Sequence, residues 1–158
     1  MASIKVTKEI ASGWHGFVYN DWIKEIGIDF IEVEEGYIYA ELVNQEKYHI
    51  RTGGTPGKLT GAAAGAMFGG ILLTATDIIA FMAAFTTDTY VPKATITHTC
   101  SFLLPANAAV FGISAQVTSW GKAVSHVTTS VYNLETDEMV FQSQSTLSMR
   151  MVEAPAVG

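Results

Sequence analysis

The chain has 158 residues, a length typical of one domain with its own hydrophobic core, and 49% of them are hydrophobic whereas only 15% are charged. The net charge is −6, from 9 basic and 15 acidic residues without a Lys/Arg cluster, which argues against a nucleic-acid-binding protein. The single cysteine, Cys100, excludes an intrachain disulfide framework and a cysteine-rich metal site.

The charged share is low against the roughly 25% of an average protein, and this indicates that another subunit covers part of the surface. The first sixteen residues, MASIKVTKEIASGWHG, lack the apolar core of a signal peptide, so we expect a cytoplasmic protein. No spacing of His and Cys side chains is typical of a metal site, and we expect no metal. We treat residues 1–158 as a single domain.

The first half of the chain opens with a predicted helix and a predicted pair of strands. Apolar residues recur at helical spacing over 14–26, so we interpret residues 1–27 as an N-terminal helical segment. Residues 28–43 alternate between apolar and polar side chains on either side of Glu35 and Gly36, a pattern that predicts two strands joined by a tight turn. Residues 44–66 are rich in Gly and Thr and predict a long loop.

Residues 68–86 are an apolar run with one carboxylate, Asp77, near its middle. One interpretation is a membrane span, because the run from 61 to 85 has no other charge and is long enough to cross a bilayer. Against a span, an Asp at the centre of a membrane helix costs about 2.5–3.5 kcal/mol, and no aromatic belt frames the run. A helix buried by a sheet explains the same apolarity, so we predict a central helix over 68–86 and no membrane span.

The composition of the remaining residues predicts strands followed by a short tail. Val, Thr, Ile and Phe are frequent in four segments, and turn-forming residues separate them. Four successive strands predict an antiparallel sheet, and the long apolar helix is its natural cover, so the predicted fold class is α+β. The predicted strands cover residues 95–105, 110–120, 122–134 and 138–150, and 151–158 form a tail.

This order of elements resembles the hotdog fold of the PaaI-like and 4-hydroxybenzoyl-CoA thioesterases, in which a curled antiparallel sheet wraps a long central helix. The segment IKEIGIDFIEVEEGYIYAEL resembles the opening of that family, and FGGILLTATDIIA resembles its HGG…D motif at the start of the central helix. The segment TITHTCSFLLPANAAVFGISAQVTSWGKAVSHVTTSVYN resembles its three following strands. The resemblance covers residues 22–150.

The resemblance implies an acyl-CoA thioesterase that needs no cofactor beyond the coenzyme A of its substrate. In the family, the carboxylate that matches Asp77 acts as a base on water or as a nucleophile. Helix N-terminal amides carry partial positive charge, so those of Gly69 and Gly70 are expected to stabilise the thioester oxyanion. Because family sites lie between two subunits, we expect a homo-oligomer, either a dimer or a dimer of dimers.

Five residues are expected to contact the substrate. Thr74 lies three residues before Asp77 on the same helix face, from which it could donate a hydrogen bond to the carboxylate. Phe68 stands where the family motif has His, and Arg51 stands where the preceding family loop often has Asn. Lys122 follows a Trp–Gly turn and could contact a CoA phosphate. The fifth residue is Phe81.

Two other functions remain open. A non-catalytic hotdog protein that binds acyl-CoA or acyl ligands is favoured by the absence of the motif His at Phe68. A hotdog hydratase or dehydratase needs a His beside the carboxylate, so either His49 or His98 would have to lie within about 6 Å of Asp77.

Overall fold

The computed structural model describes residue 7 and residues 25–50, 65–87 and 89–151. Most of the predicted N-terminal helical segment, Arg51 and the tail after residue 151 lie outside the described residues. The described residues contain one α-helix and six strands. They are β1 (Ile28–Glu34), β2 (Tyr37–Val43), α1 (Gly69–Ala83), β3 (Tyr90–Phe102), β4 (Val110–Ser119), β5 (Val124–Asn133) and β6 (Met139–Met151).

All six strands belong to one antiparallel sheet in the order β1-β2-β4-β5-β6-β3. The chain crosses from β2 to β3 through α1, which places β3 at the far edge of the sheet from β1. Strand β2 shows the predicted alternation, because Ile38, Ala40 and Leu42 are fully buried whereas the residues between them are partly exposed. The α+β fold class with a curled sheet around a central helix is therefore confirmed.

The turn between β1 and β2 is tied to the end of the helix. Gly36 has a φ of 76°, which a residue without a side chain adopts at little cost. Its buried N–H donates to Oγ1 of Thr86, 2.6 Å away, and the hydroxyl of Thr86 donates to the carbonyl of Ala83 in the last turn of α1. The first hairpin and the helix are thus held in one arrangement.

Helix α1 is short and mostly buried. Its fifteen residues span about 22 Å, and Leu72, Ile79 and Met82 are among its fully or almost fully buried side chains. They share one core with Phe111 and Leu147 of the sheet. No helix among the described residues is long and apolar enough to span a membrane. The apolarity of 68–86 is that of a helix wrapped by a sheet.

Several boundaries differ from the prediction: α1 ends at Ala83 rather than at residue 86, and β3 ends at Phe102 rather than at residue 105. Strand β3 begins at Tyr90 rather than at residue 95, because Pro92 lies on an edge strand, where a missing N–H is tolerated, and a bulge follows it. The predicted loop 44–66 is not irregular throughout: Glu46–Tyr48 form a 3-10 turn, and His49 pairs with Met67 just before α1.

Candidate active site at the central helix

Backbone hydrogen bonds fix the start of α1. Phe68 occupies the N-cap in an extended conformation, and its side chain makes no capping hydrogen bond. Its N–H donates to the carbonyl of Tyr48 at 2.7 Å, and the N–H of Met67 donates to the carbonyl of Ala106 at 2.8 Å. Two neighbouring segments therefore position the helix start, whatever side chain residue 68 carries.

The two predicted oxyanion donors lie at this start. Among the described residues no acceptor pairs with the N–H groups of Gly69 and Gly70, as is usual in the first turn of a helix. A Cβ at Gly69 would lie 2.5 Å from Cε1 of Phe102, and one at Gly70 would lie 2.5 Å from Cε1 of Phe68. Two aromatic rings therefore pack against the glycines, and the dipole of the helix gives their unpaired amides partial positive charge.

Asp77 lies on the partly exposed stripe of α1. The stripe contains Gly70, Thr74, Asp77 and Phe81, spaced by three or four residues, whereas the opposite face of the helix is buried in the core. The Asp77 side chain is 42% exposed in the protomer. The carboxylate is therefore open to solvent in the single chain, because the sheet covers only the other side of the helix.

A neighbouring strand, and not the helix, supplies the hydrogen bond to Asp77. The hydroxyl of Thr95 on β3 donates to Oδ1 of Asp77 at 2.8 Å. Thr74 instead donates its hydroxyl proton to the carbonyl of Gly70 at 2.8 Å. The predicted hydrogen bond from Thr74 to Asp77 is thus wrong, because a Thr inside a helix readily bonds the carbonyl four residues earlier.

His98, also on β3, lies beside the same carboxylate. Its Nδ1 is 3.9 Å from Oδ1 of Asp77, and its side chain is only 9% exposed. Nδ1 is 2.7 Å from Oγ of Ser145 on β6, and Nε2 is 3.1 Å from Oγ1 of Thr76 on α1. The imidazole is thus held between the helix and the sheet, and it meets the distance that a hydratase requires.

The hydrogen bonds assign the tautomer of neutral His98. Thr76 directs its one hydroxyl proton to the carbonyl of Leu72 at 2.8 Å, so its oxygen accepts from His98 Nε2–H. The lone pair of Nδ1 then accepts the hydroxyl proton of Ser145, and Oδ1 of Asp77 lies 3.9 Å from the same nitrogen. Burial lowers the pKa of His98 below its ordinary value, and the nearby Asp77 carboxylate opposes this with a smaller upward effect.

Sequence reasoning missed Thr95, and it named His98 only as one of two histidines that a hydratase would need beside Asp77. Side chains three residues apart in a regular strand point to opposite faces, so the pair looks unable to meet one helix. The pairing of β3 with β6 shifts between Thr95 and Thr97, and this bulge adds one residue. Both side chains consequently reach α1, and a bulge of this kind has no clear signal in the sequence.

Among the described residues, two pockets flank the helix start. The first has a volume of about 400 Å³ and the second about 430 Å³, both within the range of small-molecule sites. The first is lined mostly by apolar side chains and includes Gly69, so it lies directly beside a predicted oxyanion donor. The second includes Phe68, one of the predicted substrate contacts, together with Lys47, Tyr48, His49, Ile50 and Ile71.

The structure separates Lys122 from the helix start within one protomer. Lys122 is exposed in the turn between β4 and β5, two residues after Trp120, whose ring stacks on Tyr90 at the beginning of β3. Phe102, which packs on Gly69, ends the same strand. Twelve residues of strand span about 40 Å, so Lys122 lies far from the start of α1 in the same protomer. Only the Lys122 of another subunit could contact a substrate bound at this helix start.

Metal-ligating side chains do not converge in the described part of the chain. No group of three His, Cys, Asp or Glu side chains that could hold a metal ion occurs there.

Solved structures resemble the fold over nearly the whole chain, although no protein-family model and no curated protein sequence matches it. A thioesterase family protein from Silicibacter pomeroyi has a TM-score of 0.72 at 17% identity, over 92% of this chain and 100% of that chain. The PaaI protein from the phenylacetic acid degradation operon of E. coli has a TM-score of 0.64 at 20% identity, over 93% and 95%. A Streptococcus mutans protein solved bound to acetyl CoA has a TM-score of 0.68 at 14% identity, over 89% and 98%.

At these identities the similarity establishes the architecture of the chain. Together with the six-stranded antiparallel sheet around α1, it confirms the resemblance first seen in the sequence. The chain has the hotdog fold of thioesterase-family proteins.

Proposed function

We propose that this protein hydrolyses acyl-CoA thioesters, with Asp77 as the base that activates water. The observation that carries the proposal is the placement of one half-exposed carboxylate, held by Thr95, on the same helix that begins with two unpaired amides. The thioesterase-family neighbours support the reaction class, and the acetyl CoA bound to the Streptococcus mutans protein supports a CoA ester as ligand.

The proposed reaction needs no resident cofactor. Asp77 takes a proton from water, and the water oxygen attacks the thioester carbon. The amides of Gly69 and Gly70 stabilise the negative charge that develops on the carbonyl oxygen. The carbon–sulfur bond then breaks, and the thiolate of coenzyme A takes up the proton, so one water and one thioester yield a carboxylic acid and a free thiol.

The spacing along α1 favours the base role of Asp77 over the nucleophile role within one protomer. Seven residues separate Gly70 from Asp77, which corresponds to a rise of about 10 Å. A water between carboxylate and carbonyl, and a hydrogen bond of about 3 Å from the carbonyl oxygen to an amide, fill this span. Direct attack by the carboxylate would require the carbonyl oxygen to lie several ångströms short of the amides.

The apolar pocket beside Gly69 is the proposed acyl site. Its volume of about 400 Å³ suits an aryl group or a medium-length acyl chain. Leu72, Phe102 and Leu104 contribute apolar surface, which favours burial of the acyl group. A thioester carbon at the mouth of this pocket would place its oxygen next to the Gly69 amide. We also propose that Phe68, Phe81, Arg51 and Lys122 contact the substrate, as the sequence predicts.

The test is thiol release from a panel of aryl-CoA and short-, medium- and long-chain acyl-CoA esters. Turnover of at least one ester, with saturation kinetics, is the expected result. Saturable binding of CoA esters without turnover of any of them would contradict hydrolysis and favour the non-catalytic acyl-CoA binding protein.

Thr95→Val is expected to lower kcat about 10–100-fold, because it removes a hydroxyl that donates to a charged group, an interaction worth about 1.5–3 kcal/mol. The variant keeps the size of the side chain, so the loss reports the orientation of Asp77. Thr97→Val, at an exposed position on the same strand, is the matched control and should retain wild-type kcat. An equal loss in both variants would point to damage of β3 rather than to the hydrogen bond.

The sequence also predicts a homo-oligomer, and we propose that its subunits contact each other along β3. Within the described residues, β3 pairs only with β6, which leaves thirteen residues of edge strand without a second partner. Ile96 is 58% exposed on this strand, and Phe102, Leu103 and Leu104 at its end are also exposed. A second copy pairing along this edge would cover them.

Ile96→Lys is expected to shift the protein from dimer or tetramer toward monomer, because it places a charge in the proposed contact. Light scattering after size-exclusion chromatography measures the mass directly. Val43→Lys, which alters an exposed apolar residue at the end of β2, should leave the mass unchanged. A wild-type chain that is monomeric at all concentrations would contradict the homo-oligomer. The cytoplasmic location stays a prediction.

A hotdog hydratase or dehydratase is the second candidate, and the distance of 3.9 Å between His98 and Asp77 favours it. Such an enzyme would add water across the double bond of a 2-enoyl-CoA. Loss of the conjugated enoyl absorbance without thiol release would support this reaction and contradict hydrolysis.

A further inference from the structure

We propose that His98 is the proton partner of Asp77, a positioning residue whose Nδ1 shares the proton that Asp77 removes from water. This inference rests on the proposed hydrolysis and deepens it. Its basis is the network in which β3, β6 and α1 converge on one imidazole beside the carboxylate.

The orientation of the ring leaves one nitrogen able to take a proton. Nε2 already carries a proton, which it donates to Thr76, and the hydroxyl of Thr76 is itself committed to the helix backbone. Nδ1 therefore directs its lone pair at Ser145, and the same atom lies 3.9 Å from Oδ1 of Asp77. When Asp77 carries the proton, Ser145 can rotate its hydroxyl away and leave the lone pair of Nδ1 free to share that proton, since a hydroxyl both donates and accepts.

The surroundings of His98 keep its Nδ1 unprotonated before the reaction begins. Burial disfavours the imidazolium, so the resting ring is neutral near pH 7 and Asp77 is free to act as a base. Asp77 is the only charged group among the described residues whose field acts on the pKa of His98. The other hydrogen-bond partners of the ring are uncharged hydroxyls, those of Thr76 from α1 and Ser145 from β6. The titratable thiol of Cys100 belongs to the residue two positions further along β3.

The proton balance follows directly. Asp77 accepts a proton from water while the oxygen bonds to the carbonyl carbon, and the proton is then held between Oδ1 of Asp77 and Nδ1 of His98. A distance of 3.9 Å between these atoms is long for a hydrogen bond, and such distances commonly shorten when substrate is bound. When the carbon–sulfur bond breaks, the pair returns the proton to the sulfur, and both groups recover their starting states.

His98→Gln tests the proposal by keeping a polar side chain that can donate to Thr76 but cannot take up a proton. We expect kcat for thiol release to fall about 10–100-fold, toward the lower end of general acid–base effects. We also expect the acid limb of the pH profile to move to lower pH, because an imidazole ordinarily titrates about two units above a carboxylate. His126→Gln, an exposed His bonded to Thr146, is the matched control and should change neither quantity.

A titration that needs no turnover separates this proposal from the proposed function. The pKa of His98, followed by its imidazole NMR signals, should fall in Asp77→Asn, because the carboxylate that favours the charged ring is gone while burial remains. The imidazole NMR signals of His126, which is bonded to Thr146, should be unaffected by the substitution.

Each outcome decides one of the two proposals. An unchanged pKa of His98 in Asp77→Asn, or a His98→Gln variant with wild-type kcat or an unmoved acid limb, overturns the role of His98. A wild-type chain that releases no thiol, although the pKa of His98 falls in Asp77→Asn, overturns the hydrolysis and supports the coupled pair.

Discussion

Asp77→Asn is expected to lower kcat for thiol release by about 10²–10⁴-fold, the range typical of a lost general base. Asn matches Asp in size and still accepts the hydroxyl of Thr95, so the local packing is kept. Because the substituted group acts on water and not on the CoA moiety, KM should change little. Initial rates over the full panel of esters, with circular dichroism to verify folding, measure the effect.

Asp137→Asn is the matched control for this variant. Asp137 lies in the turn between β5 and β6 with a φ of 60°, a conformation that Asn adopts as readily as Asp. The same change of charge at this exposed position should leave kcat unaltered. Full activity of Asp77→Asn would show that another group activates the water and would contradict the proposed mechanism.

The substitution of Phe68 for the motif His bears on whether the site can act at all. Phe68 is 61% exposed, and its side chain takes no part in capping the helix. Its backbone makes the structural contacts, through an N–H bonded to Tyr48 and a carbonyl that accepts from Ile71. The helix start therefore keeps its geometry without the His, and the amides of Gly69 and Gly70 stay available for an oxyanion.

Most of the fold follows from local patterns in the sequence. The alternation over residues 28–43 and the β-rich segments after residue 110 gave strand boundaries within two residues of those observed, because one face of each strand is buried and the other is exposed. The start of β3 was harder to predict, since Pro92 argues against a strand unless that strand lies at an edge, a property of the assembled sheet.

The candidate site was only partly predictable for the same reason. Asp77 and the two glycines follow from the motif and from helical spacing, which are local. Thr95 and His98 depend on a bulge in β3 and on the pairing of that strand with β6, which brings Ser145 to the imidazole. Contacts set by register and bulges between distant segments leave little trace in a single sequence.

The packing of α1 also explains why a lone carboxylate is tolerated in an apolar helix. The sheet covers one face completely, while the stripe with Asp77 stays partly exposed, so the charge keeps contact with water and with Thr95. An apolar run with one charge thus reflects a helix whose buried side supports the fold and whose open side carries the polar group.

This division of α1 predicts different stability effects on its two sides. Ile79→Ala is expected to lower the free energy of unfolding by about 2–5 kcal/mol, since Ile79 is fully buried and its truncation leaves a cavity under the sheet. The loss should be measurable as a lower urea midpoint with an unchanged slope, at any protein concentration.

Leu73→Ala, on the open side of the same helix, is the matched comparison. Leu73 is 39% exposed, so its truncation removes less buried surface and should cost less than about 1 kcal/mol in the isolated protomer. Equal losses in the two variants at all concentrations would contradict the proposed division of the helix. A loss for Leu73→Ala that grows with protein concentration would instead mean that a second copy covers the stripe with Asp77, because only association can bury a side chain that the protomer leaves open.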